Sequence, residues 1–148
     1  MNTLDTVAFD PSLVSISVIT TYLPNHSRPA DSQYTFAYTI TITNGNDTPV
    51  QLLSRHWVIT DADNAVQEVR GEGVVGEQPI IKPGEFFRYT SGASLVTPVG
   101  CMQGSYTMAV RHPPEREADK ALTFEVPIPV FSLHTPTAYS MNDDFTYT

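Results

Sequence analysis

Three glycines in the stretch RGEGVVGEQP have the spacing of a phosphate-binding turn, G-x-G-x-x-G: Gly71, Gly73 and Gly76. In a dinucleotide-binding fold, a helix follows such a turn, and its positive end faces the pyrophosphate. Here Pro79 and Pro83 follow closely, and each removes an amide donor and disfavours a helix. The ribose-binding acid is also missing, because no carboxylate occurs between Glu85 and Glu115. The sequence therefore excludes a Rossmann turn.

Two interpretations of the glycine stretch stay open. Consecutive amides of a glycine-rich loop can hold an anion without a helix, and Arg70 would add positive charge. Glu72 and Glu77 would oppose a phosphate. Alternatively, Val74 and Val75 belong to an apolar loop or bulged strand that covers a sheet edge. The candidate anion or pyrophosphate site is Arg70, Gly71, Gly73 and Gly76.

No metal site is expected from the spacing of potential ligands. The four histidines are far apart, and no two of them are separated by one helical turn (His26, His56, His112, His134). The run Asp61-Ala62-Asp63-Asn64 begins like a calcium loop, but Val66 occupies the sixth position, where such a loop needs glycine. An Asx-type turn is expected here instead, and no cofactor is predicted.

Nucleophilic catalysis has little support in the sequence. No G-x-S-x-G elbow occurs. Ser54 and His56 would share one face of a strand about 7 Å apart, too far for a direct hydrogen bond. Cys101 and His112 could meet across strands as a thiolate pair, but a lone cysteine is more often a small buried hydrophobe. We therefore predict that the protein has no catalytic residues and is not an enzyme.

The elements that position these residues are β-strands, because apolar side chains alternate with polar ones almost throughout. In QYTFAYTITIT, one face carries Tyr34, Phe36, Tyr38, Ile40 and Ile42. Further strands are predicted at 15–22, 50–60, 66–69, 79–81, 86–91, 105–110 and 121–128. Trp57 is expected in the core, flanked by solvent-facing polar residues, with Arg55 pointing opposite to His56. The one helix-friendly stretch is Glu115 to Leu122.

This pattern predicts an all-β protein, an antiparallel sandwich of the immunoglobulin or fibronectin type III kind. With 148 residues and no linker, the chain should form a single domain over 1–148. Its core should run from about 12 to 131, and the tail from 132 to 148 should pack loosely. An exposed edge strand in such a sandwich would allow a homodimer.

Composition limits the compartment and the partners. No apolar run is long enough to span a bilayer, no signal peptide is evident, and Cys101 is the only cysteine, so a cytoplasmic protein without membrane contact is expected. A net charge of −8 argues against nucleic-acid binding. From Phe86 to Pro114 there is no acid. This segment would suit an acidic partner or an anion, or it simply forms core strands.

Five motifs, in this order, strongly resemble the ApaG family: YTFAYTITITN, LLSRHWVITD, VRGEGVVGEQP, KPGEFFRYTSG and GSYTMAV. The similarity extends from about Ser12 to Phe131. Beside the three glycines, the matching signature positions are Arg55, His56, Trp57, Pro79, Pro83, Gly84, Tyr89 and Gly92. The chain departs from the family at Asn64, where glycine is expected, at Cys101, where threonine is usual, and in the segment HPPEREADKAL.

The resemblance implies a single β-sandwich without an established enzymatic activity. It also implies genomic association with diadenosine tetraphosphate metabolism in bacteria and a link to cobalt and magnesium efflux. Related eukaryotic domains occur in F-box proteins and in a polymerase-delta-interacting protein, where they look like protein-interaction modules. The expected function is therefore a protein-binding module. The alternative is a sensor that holds a nucleotide polyphosphate weakly at the glycine loop.

Overall fold

The computed structural model describes residues 9–111 and 122–136, which form two antiparallel sheets. The eight strands are β1 (Val14–Tyr22), β2 (Tyr34–Asn44), β3 (Val50–Asp61), β4 (Val66–Glu72), β5 (Ile80–Ile81), β6 (Phe86–Leu95), β7 (Val99–Val110) and β8 (Thr123–His134). Each lies where the alternating pattern predicts a strand. Strands β6, β7 and β8 are longer than predicted. In particular, β7 already begins within the Pro98-Val99-Gly100 segment that the sequence indicated as a turn.

One sheet has the strand order β1-β2-β6, and the other has the order β4-β3-β7-β8, with β5 paired to the beginning of β3. Every pairing is antiparallel. The inward side chains of both sheets form one core cluster. The predicted all-β sandwich of the immunoglobulin or fibronectin type III kind is thus confirmed.

Alternation places the aromatic and β-branched side chains in the core, as predicted. The even-numbered residues of β2 from Phe36 to Ile42 are buried, and the threonines between them face outward. Trp57 is 2% exposed, and its ring packs against Tyr38, Tyr106 and Phe131 with centroids 5.3–6.4 Å apart. Burying a large apolar side chain contributes about 2–3 kcal/mol, so this aromatic cluster accounts for much of the adhesion between the sheets.

Two β-bulges interrupt the five-stranded sheet. The β3–β7 register shifts between Leu52 and Ser54, and the β7–β8 register shifts between Met102 and Gly104. Because side chains alternate along a strand, one extra residue exchanges the inward and outward positions beyond it. In β3, burial accordingly passes from even to odd positions (Val50 and Leu52, then Trp57 and Ile59).

The two lateral edges of the sandwich differ. On one side, β1 packs against β8. On the other side, residues of β4 and β6 border an open cleft. The cleft therefore lies where the edges of the two sheets do not close on each other.

The packed core extends beyond the predicted boundary at 131. Strand β8 continues to His134, Leu133 is fully buried, and it pairs with Gly100. The prediction of loose packing from 132 onward is therefore wrong for the end of β8. Residues 137–148 and the helix-friendly residues 115–121 lie outside the described part of the chain.

Candidate functional site: the glycine loop and the cleft beside it

The glycine motif lies in the connection that carries the chain from β4 to β5 along one edge of β3. β4 pairs with the second half of β3 and β5 with its first two residues, so the connection passes the bulge at Leu53. The Gly73 amide donates to the Leu53 carbonyl at 2.8 Å, and the Gln78 side chain donates to the same oxygen at 2.9 Å. The glycine loop, residues 71–78, is therefore fixed to the bulge.

Each of the three glycines has a structural reason. A Cβ at Gly71 would lie 2.8 Å from the Arg55 guanidinium. Gly73 has φ +63°, and a Cβ there would overlap the Glu77 carbonyl oxygen. Gly76 has φ +80°, a conformation that glycine adopts without a steric cost. The spacing G-x-G-x-x-G thus allows the Arg55 guanidinium to approach the backbone at Gly71 and allows the backbone to bend tightly at Gly73 and Gly76.

Amides that an anion nest would use are already bonded within the loop. The Val74 amide donates to the Glu77 carbonyl at 2.8 Å, and the Glu77 amide donates back to the Val74 carbonyl at 2.9 Å. No α-helix occurs within residues 9–111, so the loop leads into a turn, as Pro79 and Pro83 predict. These bonds weaken the hypothesis of an anion at Gly71, Gly73 and Gly76, which stays a prediction.

Arg55 holds the glycine loop from its inner side. Its Nη1 donates to the carbonyl oxygens of Glu72 at 3.1 Å and Gly73 at 2.8 Å. The loop therefore presents carbonyl oxygens to Arg55, and carbonyl oxygens attract cations and repel anions. The prediction that Arg55 faces solvent is wrong: it is half-buried, because two residues before the inward Trp57 it lies on the same side of the strand. His56 points to the other face, as expected.

Arg70 lies on the outer face of the five-stranded sheet, away from the loop carbonyls that Arg55 binds. Its side chain is 71% exposed, and its Nη2 is 3.4 Å from Glu68 Oε1. His56 Nε2 lies 3.0 Å from the same oxygen. The hydrogen bond and charge of His56, and secondarily the charge of Arg70, hold the pKa of Glu68 below its ordinary value. Arg70 thus contacts Glu68 on the outer face, and its part in an anion site stays a prediction.

A shallow groove of about 590 Å³ surrounds this charged cluster. Ser54 and His56 both line it, which agrees with their expected common face. On its far side, Thr107 Oγ1 donates to Glu125 Oε2 at 2.6 Å. No hydrogen bond in the described part of the chain joins Ser54 to His56, so the groove does not assemble a serine nucleophile with its base.

The cleft between β4 and β6 has a volume of about 320 Å³. Its polar lining includes Tyr38, Arg55 and Ser91. Burial raises the pKa of the Tyr38 hydroxyl, and the nearby Ser91 and Arg55 only partly oppose this shift. Trp57 also lines this cleft. This cleft, rather than the exposed tip of the glycine loop, combines a cation, hydroxyl groups and a buried aromatic ring.

Behind the cleft, two tyrosines connect the sheets. The hydroxyl of Tyr89 on β6 and that of Tyr106 on β7 hydrogen-bond each other in the core. Burial raises the pKa of both hydroxyls far above the ordinary value, and the nearby Arg55 charge only partly offsets this. Both groups therefore stay neutral at physiological pH.

The remaining sequence candidates have structural roles. Asp61 Oδ1 accepts from the amides of Asp63 at 2.8 Å and Ala65 at 3.0 Å, which confirms the expected Asx turn. Asn64 has φ +68°, as its place in that turn predicts. Among the described residues, no group of three His, Cys, Asp or Glu side chains could hold a metal ion. Cys101 is half-buried, and His112 lies outside the described residues.

The inner position of Arg55 and the cleft were not among the predictions. One signal was present for Arg55, since it stands two residues before Trp57 and shares the face of that core residue in a strand. The cleft itself had no sequence signal, because its lining comes from five separate strands.

Fold and site define a small β-sandwich domain whose glycine loop is fixed to a sheet bulge by a half-buried arginine. Residues 24–110 match the family model of the ApaG domain. The chain is 54% identical over 123 residues to the protein ApaG of Thiobacillus denitrificans, which covers 83% of this chain and 91% of that protein. It is 50% identical over 125 residues to the protein ApaG of Pseudomonas aeruginosa strain LESB58, covering 84% and 93%. The chain therefore belongs to the ApaG family, and the resemblance seen in its motifs is confirmed.

Solved structures give the same result. A crystal structure of a protein designated ApaA from Bordetella pertussis superposes with a TM-score of 0.75 at 48% identity, covering 83% of this chain and 94% of that one. An X-ray structure of a structural-genomics target superposes with a TM-score of 0.75 at 40% sequence identity, and the match covers 85% of this chain and 89% of that one. Within the described residues, no helix is long and apolar enough to cross a bilayer.

Proposed function

We propose that this ApaG-family protein is a non-enzymatic module that binds a protein partner through the outer face and the free edge of its three-stranded sheet. The supporting observation is the near absence of charge on that sheet. Strands β1, β2 and β6 contain no acid and a single base, Arg88, in a chain with 16 acids and 8 bases. Depletion of charge distinguishes the centre of a protein interface from ordinary surface.

The outward side chains of this sheet are mostly hydroxyls. We name as the Ser/Thr face the residues Ser15, Ser17, Ile19, Thr21, Thr35, Thr39, Thr41, Thr43, Phe86, Arg88, Thr90 and Ser94. Several of the hydroxyls bond across strands, as Thr39 does with Thr90 at 2.7 Å. Because neutral hydroxyls are less costly to desolvate than charges, a partner can cover this face at a low free-energy cost.

Two large apolar side chains project from the Ser/Thr face. Ile19 is 69% exposed and Phe86 is 57% exposed. Arg88 lies over the Phe86 ring at 4.9 Å, and its Nε donates to Thr41 at 2.9 Å. The arginine and the ring are therefore held in place before binding. Ordered arginine and aromatic side chains are the kind of group that contributes most to interface affinity.

Strand β1 is the edge strand next to this face: it packs against β8, but no strand in the described part of the chain is hydrogen-bonded to its outer side. In the described part of the chain it pairs only with β2, and its nine residues include no proline and no charged side chain. Natural edge strands usually carry such residues, which block further pairing. By contrast, β8 contains Pro127 and Pro129. We therefore expect an extended partner segment to add to β1 as a fourth strand.

The test compares two variants that each insert one acid at the centre of an outer face. Thr39→Glu changes the Ser/Thr face, and Ser105→Glu changes the groove face as a matched control. Tagged wild-type protein should retain one protein from lysate in stoichiometric amount. Thr39→Glu should lose it, and Ser105→Glu should keep it. Circular dichroism confirms that both variants are folded.

Three results would contradict the proposal: no stoichiometric partner at any salt concentration, equal loss in both variants, or loss only in Ser105→Glu. Sedimentation equilibrium of the purified chain measures whether a second copy of the protein pairs along β1 to form a homodimer. A homodimer broken by Thr39→Glu would identify the partner as the protein itself. The link to cobalt and magnesium that the family implies would then be tested through the identity of the partner.

A second candidate function is a nucleotide-polyphosphate sensor at the glycine loop. Its support is the exposed tip, where Val75 and Gly76 both have positive φ, and the exposed Arg70 nearby. Titration with a dinucleoside polyphosphate, alone and with magnesium or cobalt, should then shift the Gly73 and Gly76 amide resonances. Unchanged resonances at millimolar ligand would end this candidate.

A further inference from the structure

The core of this protein contains one donor that the surrounding protein does not satisfy. Trp57 is 2% exposed, and its Nε1–H has no hydrogen-bond partner among residues 9–111 and 122–136. The nitrogen itself has almost no accessible surface, so a molecule bound in the neighbouring cleft would lie beside the indole without contacting this N–H. The indole therefore reports on its surroundings and is not itself a ligand contact.

Trp57 lines the cleft between β4 and β6, where further donors converge. The guanidinium of Arg55 and the hydroxyls of Tyr38 and Ser91 line the same cleft. Arg55 donates to the loop carbonyls through Nη1 only, and within the described residues its Nε and Nη2 make no hydrogen bond. A guanidinium has five N–H donors in a planar fork, so Arg55 keeps donors for a ligand.

The charge of the cleft selects for an anion. No aspartate or glutamate lines it, and Arg55 is its one charged lining residue, although the chain has a net charge of −8. Because the surroundings of Arg55 are half-buried, its charge is screened less than that of an exposed arginine. An oxyanion would accept hydrogen bonds from the Nε–H and Nη2–H groups of Arg55.

The rest of the lining is apolar and the volume is small. Ile59, Val69, Ala93 and Met102 form the apolar part of the cleft. Its volume of about 320 Å³ is at the lower end of the range for ligand pockets, about 300–1,000 Å³. A dinucleotide is too large for this space, whereas a molecule the size of one aromatic ring with a charged group fits it.

We propose that this cleft binds a small organic carboxylate, with the carboxylate on Arg55 and the apolar body between Val69 and Ala93, beside the indole of Trp57. The site shares only Ser94 with the Ser/Thr face, and the three residues that would hold the ligand do not belong to that face. Failure of one proposal therefore leaves the other intact.

The test uses the only tryptophan of the chain as a reporter. Uniformly ¹⁵N-labelled protein has one indole N–H resonance, which is followed during titration with benzoate. Benzamide serves as the neutral isostere and inorganic phosphate as the anion without an apolar body. Benzoate should shift the indole N–H resonance in a saturable manner with a Kd of about 1 mM, because the aromatic ring of the ligand would lie beside the indole; this Kd corresponds to about 4 kcal/mol. Benzamide and phosphate should cause no saturable shift at the same concentrations.

Three variants locate the site. Ala93→Leu fills the cleft and should abolish the shift, whereas Ala37→Leu makes the same change on the outer face and should leave the Kd unchanged. Arg55→Lys keeps the charge but loses the planar fork, and we expect about tenfold weaker binding. The amide spectrum of each variant shows whether the sandwich is intact.

Several results would overturn the proposal. A benzoate titration without saturation at about 20 mM would show that the cleft is closed to this class of ligand, with the indole N–H facing only aromatic rings. An equal shift with phosphate would show a general anion effect. A shift that persists in Ala93→Leu would place the ligand elsewhere.

Discussion

The two sheets of this sandwich are built to different degrees of regularity. The three-stranded sheet keeps one continuous register from end to end, and its outer face is nearly uncharged. The five-stranded sheet contains two bulges, and its outer face carries the cluster of His56, Glu68 and Arg70. The glycine loop and the half-buried Arg55 also belong to this second sheet. The five-stranded sheet thus carries the charged groups and the glycine loop, where a ligand could bind, and the three-stranded sheet offers the neutral surface.

The difference shows what a bulge adds to a sandwich. In the three-stranded sheet, strict alternation sends every second side chain inward, so polar residues stay outside. In β3, the bulge at Leu53 brings Arg55 to the inner side and leaves the Leu53 carbonyl free to bind the glycine loop. One additional residue therefore creates both the loop anchor and the polar wall of the cleft.

The largest expected effect comes from adding one methyl group to a glycine of each sheet. A Cβ at Gly104 would overlap the backbone carbonyl oxygen of His56, so the central strands β3 and β7 would have to separate. We expect Gly104→Ala to lower the free energy of unfolding by about 4 kcal/mol or more. At Gly92, an added Cβ would have the Phe36 carbonyl oxygen as its nearest atom, at 3.4 Å. Gly92→Ala should therefore change the free energy of unfolding by less than about 0.5 kcal/mol. Urea denaturation measures both, and equal losses would contradict the contrast between the sheets.

The second effect tests the tyrosine pair that joins the sheets. Burial raises the pKa of Tyr89 and Tyr106 in the folded state, whereas both titrate near pH 10 in the unfolded chain. Above pH 10 the unfolded state therefore binds fewer protons, and stability is lost as the pH rises. Below pH 10 the contribution is present in full.

The slope should approach about 1.4 kcal/mol per pH unit for each of the two tyrosines. Urea midpoints measured from pH 8 to 11.5 give this slope, and Tyr106→Phe should reduce it by about half. A free energy of unfolding that stays constant above pH 10 would show that these hydroxyls are not buried in the folded state.

The third comparison sets the inner arginine of the bulged sheet against the outer one. Arg55→Met leaves the carbonyls of Glu72 and Gly73 without their donor, and we expect a loss of about 2 kcal/mol. Arg70→Met removes a side chain that is 71% exposed and should cost less than about 0.5 kcal/mol. Chemical denaturation gives both values, and amide exchange at Gly73 should accelerate only in Arg55→Met. Faster exchange in Arg70→Met would mean that the loop is held from its outer side.

The smallest effect concerns strain at the tip of the glycine loop. Val75 is β-branched, 53% exposed and has φ +43°, a left-handed conformation that such residues rarely adopt. Asparagine tolerates this conformation, so Val75→Asn should raise the free energy of unfolding by about 1 kcal/mol. Val66→Asn, an equally exposed valine in an extended strand, is the control and should bring no gain. A thermal melt that ranks the two variants alike would show that the tip is unstrained.

Much of the fold was predictable because alternation in this chain is clear. The pattern from Tyr34 to Thr43 gave the strand and its buried face, and Trp57 was assigned to the core from its strand alone. The turn at Asp61 and the positive φ of Asn64 follow from local side-chain chemistry, which acts over a few residues. The ends of β7 and β8 were not predictable, because pairing with a neighbouring strand extends them past prolines and glycines.

By itself, the sequence determined the strands, the sandwich and the exclusion of a dinucleotide fold, since all three depend on local alternation, proline and glycine. Only the tertiary structure decided that Arg55 binds the carbonyls of the glycine loop, that Arg70 does not, and that an indole N–H is left without an acceptor near a cleft. The physical reason is the bulge at Leu53, because it reverses the side-chain parity of β3 only through its register with a strand about fifty residues away.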